Sequence, residues 1–382
     1  MRTTEHIPLH QALVREAGRV RLRLRPTQRP APGELLVATQ VAGLCGTDIQ
    51  MLRGLRDDPA PVVGHEGIAQ VVAAGTGVPG TLRPGTPVVV NPTHRSDPSF
   101  LLGHNVDGLL QERTLIPAAA VRGGLVIPLE QSPGDVLGTL IEPLAAVRYA
   151  FALLRTARPR TLVVYGDGTI GQLAVRAARR WLGEGVRVLL VHHTRDGLKW
   201  SAGHQPPGTE LLLGGGRDEV PPLGEEPVAA LLATPRDGTL EALGSALRLD
   251  SGDLTIDMFG GLPPNATSEL LPGVDLVAVR AANCAGHPVP ASFAEVTTAQ
   301  GRRVRLTGHR GVDNGHLAES ATELRRNPAS YRDLVTHVVG LREAAQIMND
   351  LSVGRGRTIG GDRLVKLAVR FAPVSASPEE NP

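Results

Sequence analysis

The sequence predicts an α/β protein in which a β-rich, antiparallel part precedes a doubly wound parallel sheet. Three observations carry this. The first ~130 residues read as short strand-like runs broken by Gly and Pro, with helical periodicity almost absent. Near Gly134 the pattern changes to apolar strand-like runs alternating with segments that can hold helices. The length, 382 residues, suits two domains better than one.

The strands expected in the first part are Val20–Leu24, Glu34–Val41, Gly67–Ala74, Pro87–Val90 and Leu109–Ile116. Asp135–Leu154 then carries apolar residues at helical spacing. Thr161–Tyr165 (TLVVY) is short and nearly all apolar, as a strand buried on both faces should be. Further strand-like runs are Val186–Val191, Val228–Ala233, Leu254–Met258, Leu276–Val279 and Val304–Leu306, with helices expected at Gly171–Leu182 and Leu240–Leu247. After Gly308–Asn314 the chain reads as two helices, Leu317–Arg326 and Leu341–Leu351, and a closing strand, Arg363–Phe371. The polar tail Ser375–Pro382 is expected to be disordered.

Composition excludes several classes. Hydrophobic residues make up 41% and charged residues 20%, an ordinary globular balance. The isoelectric point near 8.8 does not mark a nucleic-acid binder. The formal net charge is +2, all but two of the 40 basic residues are arginines interleaved with acids, and aromatics are only 3%. Two cysteines, Cys45 and Cys284, leave no disulfide framework and no four-cysteine zinc lobe. The first residues, MRTTEHIPLHQALVREAG, hold no apolar h-region, and no apolar run approaches about 18–20 residues. A cytoplasmic protein with no membrane or nucleic-acid partner is expected.

The TLVVY strand is followed by GDGTIG and then by the helix QLAVRAARRWL. This G-x-G-x-x-G stands in the strand–turn–helix setting that a dinucleotide pyrophosphate requires. Gly166 permits the tight turn, Gly168 close approach of the backbone, and Gly171 close helix–strand packing, while Thr169 and Ile170 open the helix. The helix N-terminus offers free N–H groups and the positive end of its dipole. A glycine turn without a ligand is the bland alternative. Where an NAD site would place Asp or Glu after the second strand, this chain has His192, His193, Thr194 and Arg195. Arg195 can pair with a 2′-phosphate, so NADP is expected over NAD, with Asp196 keeping NAD open.

Three separated segments bear metal-ligand chemistry: VAGLCGTDIQ with Cys45, Thr47 and Asp48; VVGHEG with His65 and Glu66; and LIEPLAAV with Glu142. A thiolate, an imidazole and a carboxylate with one open position suit a catalytic zinc. Taken singly, each has a plainer reading: Cys45 as a small core residue, His65 as a satisfied histidine, Glu142 as a helix-start charge. Cys284, in VRAANCAGH after an expected strand, reads as a buried thiol.

In order and separation, CGTDIQ, GHEG, IEPL and GDGTIG resemble the medium-chain dehydrogenase/reductase family, specifically its zinc-dependent alcohol and polyol dehydrogenases of the sorbitol dehydrogenase kind. The end of the chain, GHRG followed by VTHVVGLREAAQIMNDL and a last strand, extends the resemblance over Val20 to Phe371. The resemblance implies a GroES-like catalytic domain at 1–135, a Rossmann domain at 136–310, and a return to the first domain at 311–382, with the active site in the cleft. It implies zinc held by Cys45, His65 and Glu142, with Glu66 as a near ligand that exchanges with water or substrate. Asp48 would orient a ligand imidazole and Thr47 would pass on the substrate hydroxyl proton.

Two departures stand out. The lobe Asn91–Glu112 carries no cysteine, so one catalytic zinc and no structural zinc is expected; His94, Asp97, His104 and Asp107 read as polar loop residues rather than a second metal site. Gln50 stands where many relatives place a histidine, and Gln cannot titrate. The glutamate-type ligand set and the polar residues Asn91, His104, Asn105 and Asp107 point to a polyhydroxy substrate, a secondary alcohol of a cyclitol, polyol or sugar-like molecule. Two alternatives belong to other classes: a zinc-free enone or quinone reductase, and a catalytically silent cofactor-binding member. A homodimer or homotetramer is the family expectation.

Overall fold

The computed structural model describes residues 8–131, 135–214, 220–354 and 356–372. The expected disordered tail, Ser375–Pro382, lies outside the described residues. The chain divides into two compact units: one formed by Met1–Ile141, His337–Arg357 and Lys366–Pro382, the other by Glu142–Thr336 and Thr358–Val365.

The first unit opens with an antiparallel hairpin, β1 (Leu9–Glu16) and β2 (Arg19–Pro26). Its main sheet is built from β3 (Leu35–Gly43), β4 (Glu66–Ala74), β5 (Pro87–Val90), β6 (Arg113–Ile116) and β7 (Val126–Pro128). Two strands from the chain's last part, β17 (His337–Val339) and β20 (Leu367–Arg370), complete it in the order β17-β20-β3-β4-β5-β7, with β6 also on β3. β3 is buried along nearly its whole length, as a strand paired on both edges should be. The helices α1 (Gly46–Leu52) and α2 (Ala118–Arg122) are one to two turns long, too short to leave a periodic signature in sequence. Leu109 and Leu110, expected in a strand, are instead a buried loop whose N–H groups donate to the carbonyls of Gly64 and Val63.

The second unit contains β8 (Thr161–Tyr165), β9 (Arg187–His192), β10 (Thr209–Leu213), β11 (Val228–Leu232), β12 (Leu254–Asp257), β13 (Asn283–Cys284), β14 (Ala294–Thr297), β15 (Arg303–Thr307) and β16 (His309–Arg310). Its seven-stranded sheet runs β10-β9-β8-β11-β12-β15-β14, parallel except for β14. The strand order reverses between β8 and β11, the switch point at which open α/β sheets bind ligands beyond their carboxyl ends. All five residues of β8 and of β11 are buried. α3 (Ile141–Leu154), α4 (Thr169–Leu182), α5 (Arg195–Ala202), α6 (Thr239–Leu247), α7 (Leu276–Ala281) and α8 (Asn314–Arg326) belong to this unit. α9 (Leu341–Val353) belongs to the first, and the short hairpin β18 (Thr358–Ile359) and β19 (Asp362–Arg363) returns to the second.

Three sequence expectations need correction. Leu276–Val279 is helix, not strand. The Asp275 carboxylate accepts the Ala278 N–H at 2.9 Å, an N-cap, and a four-residue apolar run cannot outweigh one. Only Leu276 of that helix is buried. Cys284 therefore follows a helix. Next, the helical run Val136–Ala157 spans 22 residues, and an 18-residue window in it reaches a mean hydropathy of 1.4, long and apolar enough to cross a membrane. Of that window 78% is buried within the protein, which is the pattern of a core helix. Finally, the expected closing strand splits into β19 and β20.

Candidate metal and dinucleotide sites

In the first unit, Cys45 is the N-cap of α1, and His65 and Glu66 stand at the start of β4. Their ligand atoms lie within 4.8 Å of one another, the one such group of three or more among the described residues. Asp48, wholly buried, ties the two segments together. It accepts the Cys45 N–H at 2.9 Å and the Gly64 N–H at 3.3 Å, and lies 3.8 Å from the His65 Nδ1. Burial raises the Asp48 carboxyl above the usual range, against the pull of His65 and the Cys45 N–H. Burial acts to lower His65, yet the Cys45 sulfur, Asp48 and Glu66 outweigh it and push the imidazole up to about 10. Thiol, imidazole and carboxylate are a donor set that zinc accepts, so these residues fit the metal that the sequence implies.

The sequence did not single out Lys366. Its ammonium forms an ion pair with Glu66 and donates to the Leu44 carbonyl at 3.3 Å, with the two side chains 1% and 3% exposed. A Cβ at Gly43 would come within 2.6 Å of Lys366 Cε, so the glycine makes the room. The one signal available was rarity: Lys366 is one of two lysines in a chain that otherwise uses arginine.

Thr47 is half-buried on α1, and its hydroxyl oxygen has no hydrogen-bond partner. Gln50 lies one turn on, also half-buried. The cysteine-free lobe has its polar groups largely engaged in the fold. Asn91 is buried and accepts the Thr93 N–H, and the His94 Nδ1 accepts the Ser96 and Asp97 N–H groups. Asp107 pairs with Arg25 at 2.6 Å. His104 alone adjoins the metal-type group: its ring centroid is 5.1 Å from that of His65, and its Nδ1 lies 3.1 Å from Asp58. Burial, with the neighbouring His65, lowers it to about 4. Glu142 sits in the first turn of α3, half-buried, and is not one of the grouped residues.

In the second unit the glycine loop joins β8 to α4. Gly166 has φ +104°, and a Cβ there would meet the Ala233 carbonyl oxygen at 2.4 Å; one at Gly171 would meet the Gly166 oxygen at 1.8 Å. Neither position takes a side chain. Gly168 is the N-cap of α4. Thr169 opens the helix and donates its hydroxyl to the Val365 carbonyl at 2.7 Å; Ile170 is half-buried.

The turn after β9 divides the expected residues. His192 is wholly buried, its Nδ1 3.0 Å from the Leu212 carbonyl, so it faces the sheet rather than solvent. His193 and Arg195 are exposed, and Thr194 caps α5 by accepting the Gly197 N–H. Sequence spacing placed no carboxylate here, but the fold supplies one. A Cβ at Gly197 would collide with Asp167 Oδ2, so that carboxylate overlies the first turn of α5. Arg363, 2.6 Å away, neutralises it. The signal in the sequence is the D of GDGTIG, a position that the motif leaves unspecified. Cys284 is half-buried, and its N–H donates to the His287 carbonyl.

Residues 31–123 match the family described as the alcohol dehydrogenase GroES-like domain. The chain is 31% identical over 185 residues to glucose 1-dehydrogenase of Thermoproteus tenax, covering 42% of this chain and 51% of that protein. It is 36% identical over 86 residues to sorbitol dehydrogenase of Gallus gallus, covering 21% and 24%. The chain thus spans about half the length of the first of these relatives and about a quarter of the second. Among solved structures, a Sinorhizobium meliloti 1021 protein bound to NADP superposes with a TM-score of 0.70 at 20% identity, over 95% of this chain and 100% of that one. The chain thus carries an alcohol dehydrogenase GroES-like domain at residues 31–123, with a Cys–His–Glu group on its sheet, and a 3-2-1-4-5-6 parallel sheet with a G-x-G-x-x-G turn, and is similar to the sugar and polyol dehydrogenases named above.

Proposed function

We propose that this chain is a zinc-dependent oxidoreductase that moves hydride between NAD(P)(H) and a secondary alcohol or ketone of a polyol, cyclitol or sugar-like substrate. The observation that carries the proposal is the convergence of Cys45, His65 and Glu66 beside the unpaired hydroxyl of Thr47. The relatives named glucose and sorbitol dehydrogenase support the polyhydroxy substrate class.

A bound zinc would polarise the substrate oxygen. Cys45 and His65 would hold it, with Glu142 as the carboxylate ligand of the family pattern and Glu66 restrained by Lys366. Asp48 would fix the His65 ring through its Nδ1 side. Thr47 would take the substrate hydroxyl proton. Gln50 cannot carry that proton further, so it leaves through water. His104, beside His65 and anchored by Asp58, is the lobe residue best placed to hydrogen-bond a substrate hydroxyl. The cofactor pyrophosphate would sit on the N-terminus of α4. NADP is favoured by exposed Arg195 and His193 and by the neutralised charge of Asp167. A cytoplasmic homodimer or homotetramer, with two free cysteines kept reduced, completes the reading.

The test is zinc content per chain by elemental mass spectrometry, on protein purified without chelators or a metal-affinity tag, followed by a cyclitol, polyol and sugar screen with both cofactors. About one zinc per chain with turnover supports the proposal. No zinc, with no binding on addition, would put the zinc-free reductase in its place; cofactor binding without metal or turnover would leave the silent member.

A further inference from the structure

One series of contacts in the first unit ends on an atom that the fold itself leaves unused. Asp58 stands in the loop between α1 and β4. Arg56 pairs with its carboxylate, Nε to Oδ2 at 2.7 Å and Nη2 to Oδ1 at 3.3 Å. The Arg15 guanidinium donates to the backbone carbonyls of Asp58 and Ala60. The Ala60 N–H donates in turn to the His104 carbonyl at 2.7 Å, which joins the Asp58 loop to the His104 loop. The His104 side chain is 7% exposed, and its Nδ1 is 3.1 Å from Asp58 Oδ2. Its Nε2 has no hydrogen-bond partner among the described residues.

The direction of each bond follows from the groups. An ionised carboxylate only accepts, and the Arg56 guanidinium keeps Asp58 ionised, so His104 donates from Nδ1. That fixes the tautomer and leaves Nε2 as a lone-pair acceptor. What Nε2 can meet is set by the ring that His104 touches. His104 is not one of the grouped Cys45, His65 and Glu66, yet its ring centroid is 5.1 Å from that of His65. It stands outside the metal-type donors and beside whatever those donors help to hold. A substrate oxygen held there brings its neighbours with it. The substituent one carbon away comes against the adjoining imidazole, whereas one several carbons away is carried past it.

We infer that His104, its tautomer set by Asp58 and Arg56, accepts a hydrogen bond from the hydroxyl next to the reacting one, so that the site prefers vicinal diols to simple secondary alcohols. The inference rests on the zinc-dependent oxidoreductase reading and narrows its substrate class. A hydroxyl in that place can donate to Nε2; a keto or ether oxygen there would set one lone pair against another, and a hydrogen atom would leave Nε2 unpaired. His104 touches the substrate; Asp58 and Arg56 act through it as positioning residues.

The experiment has two arms, both on the full-length protein. Nitrogen NMR of histidine-labelled, zinc-free protein, with His104 assigned through His104→Phe, is expected to show the Nδ1–H tautomer. Asp58→Ala should shift the ring towards the other tautomer, and Asp58→Asn, whose amide oxygen still accepts, should keep it. The kinetic arm compares propylene glycol with isopropanol on zinc-loaded protein with both cofactors. His104→Phe keeps a ring without an acceptor. It is expected to lower the ratio of the two kcat/KM values, diol over simple alcohol, about tenfold, the loss of one ligand hydrogen bond, with zinc content per chain unchanged. Asp58→Ala should lower the ratio about threefold or more, with Asp58→Asn restoring it; this pair serves as the test if His104→Phe does not fold. A ratio that these variants leave unmoved, loss of zinc from His104→Phe, or an Nε2–H tautomer in the unmodified protein would overturn the inference and leave the oxidoreductase reading intact. Failure to oxidise propylene glycol, in a protein that oxidises other alcohols, would do the same. If no alcohol of the screen is turned over, the oxidoreductase reading itself fails and takes the inference with it.

Discussion

Replacing Lys366 by Met removes the ammonium but keeps most of the side-chain volume, and it leaves the Glu66 carboxylate 3% exposed without its partner. Solvent does not screen this pair as it would a surface one, whose loss is worth little. Removing one member of a buried pair strands the other charge and costs about 3–5 kcal/mol, a large part of the roughly 5–15 kcal/mol that holds a typical domain. The double change Glu66→Gln with Lys366→Met should recover most of that loss, because no buried charge then remains. The assay is denaturant unfolding of zinc-free protein followed by circular dichroism. Both tryptophans, Trp181 and Trp200, lie in the second unit, so their fluorescence follows that unit separately. Saturating zinc should narrow the deficit of Lys366→Met, since a cation held by Cys45 and His65 offsets the stranded carboxylate. A loss under about 1 kcal/mol, or a double variant no more stable than the single one, would refute the reasoning.

Other outcomes follow from the same geometry. Cys45→Ser should bring zinc content from about one per chain to near zero, measured by elemental mass spectrometry, with cofactor affinity unchanged. Arg195→Ala should weaken NADP about tenfold and NAD much less, since only the former bears a 2′-phosphate for the guanidinium; Arg363→Ala, which unmasks Asp167, should act in the same direction. Asp275→Ala removes the cap of α7 and should cost about 1 kcal/mol in urea unfolding.

The sequence was most legible where one physical demand ruled a whole segment. TLVVY had to be a central strand because nothing in it tolerates water, and the glycines flanking the turn had to be glycines because backbone fills the space beside them. Cys45, His65 and Glu66 were readable as chemistry, and the structure brings them together although Cys45 and His65 are 20 positions apart. What escaped depended on contacts between distant positions. Asp167 looks like a spacer until Arg363, 196 residues on, is brought against it. His192 looks like a cofactor contact until its ring turns into the sheet toward Leu212. Leu276–Val279 misled because four apolar residues satisfy two periodicities, and one preceding aspartate chose between them.

The threading of the chain has a consequence for how the protein is made. The sheet of the first unit is finished by β17 and β20, and β20 lies against β3, so the sheet's interior waits for the chain's last part. During synthesis the Glu142–Thr336 part of the second unit can close first, while the unfinished sheet presents the bare Val41–Gly43 edge of β3 that β20 will occupy. Glu66 waits 300 residues for its lysine. An early-arriving zinc would therefore meet a freer glutamate than the one in the finished protein, and the order of metal and strand becomes a matter of timing during translation.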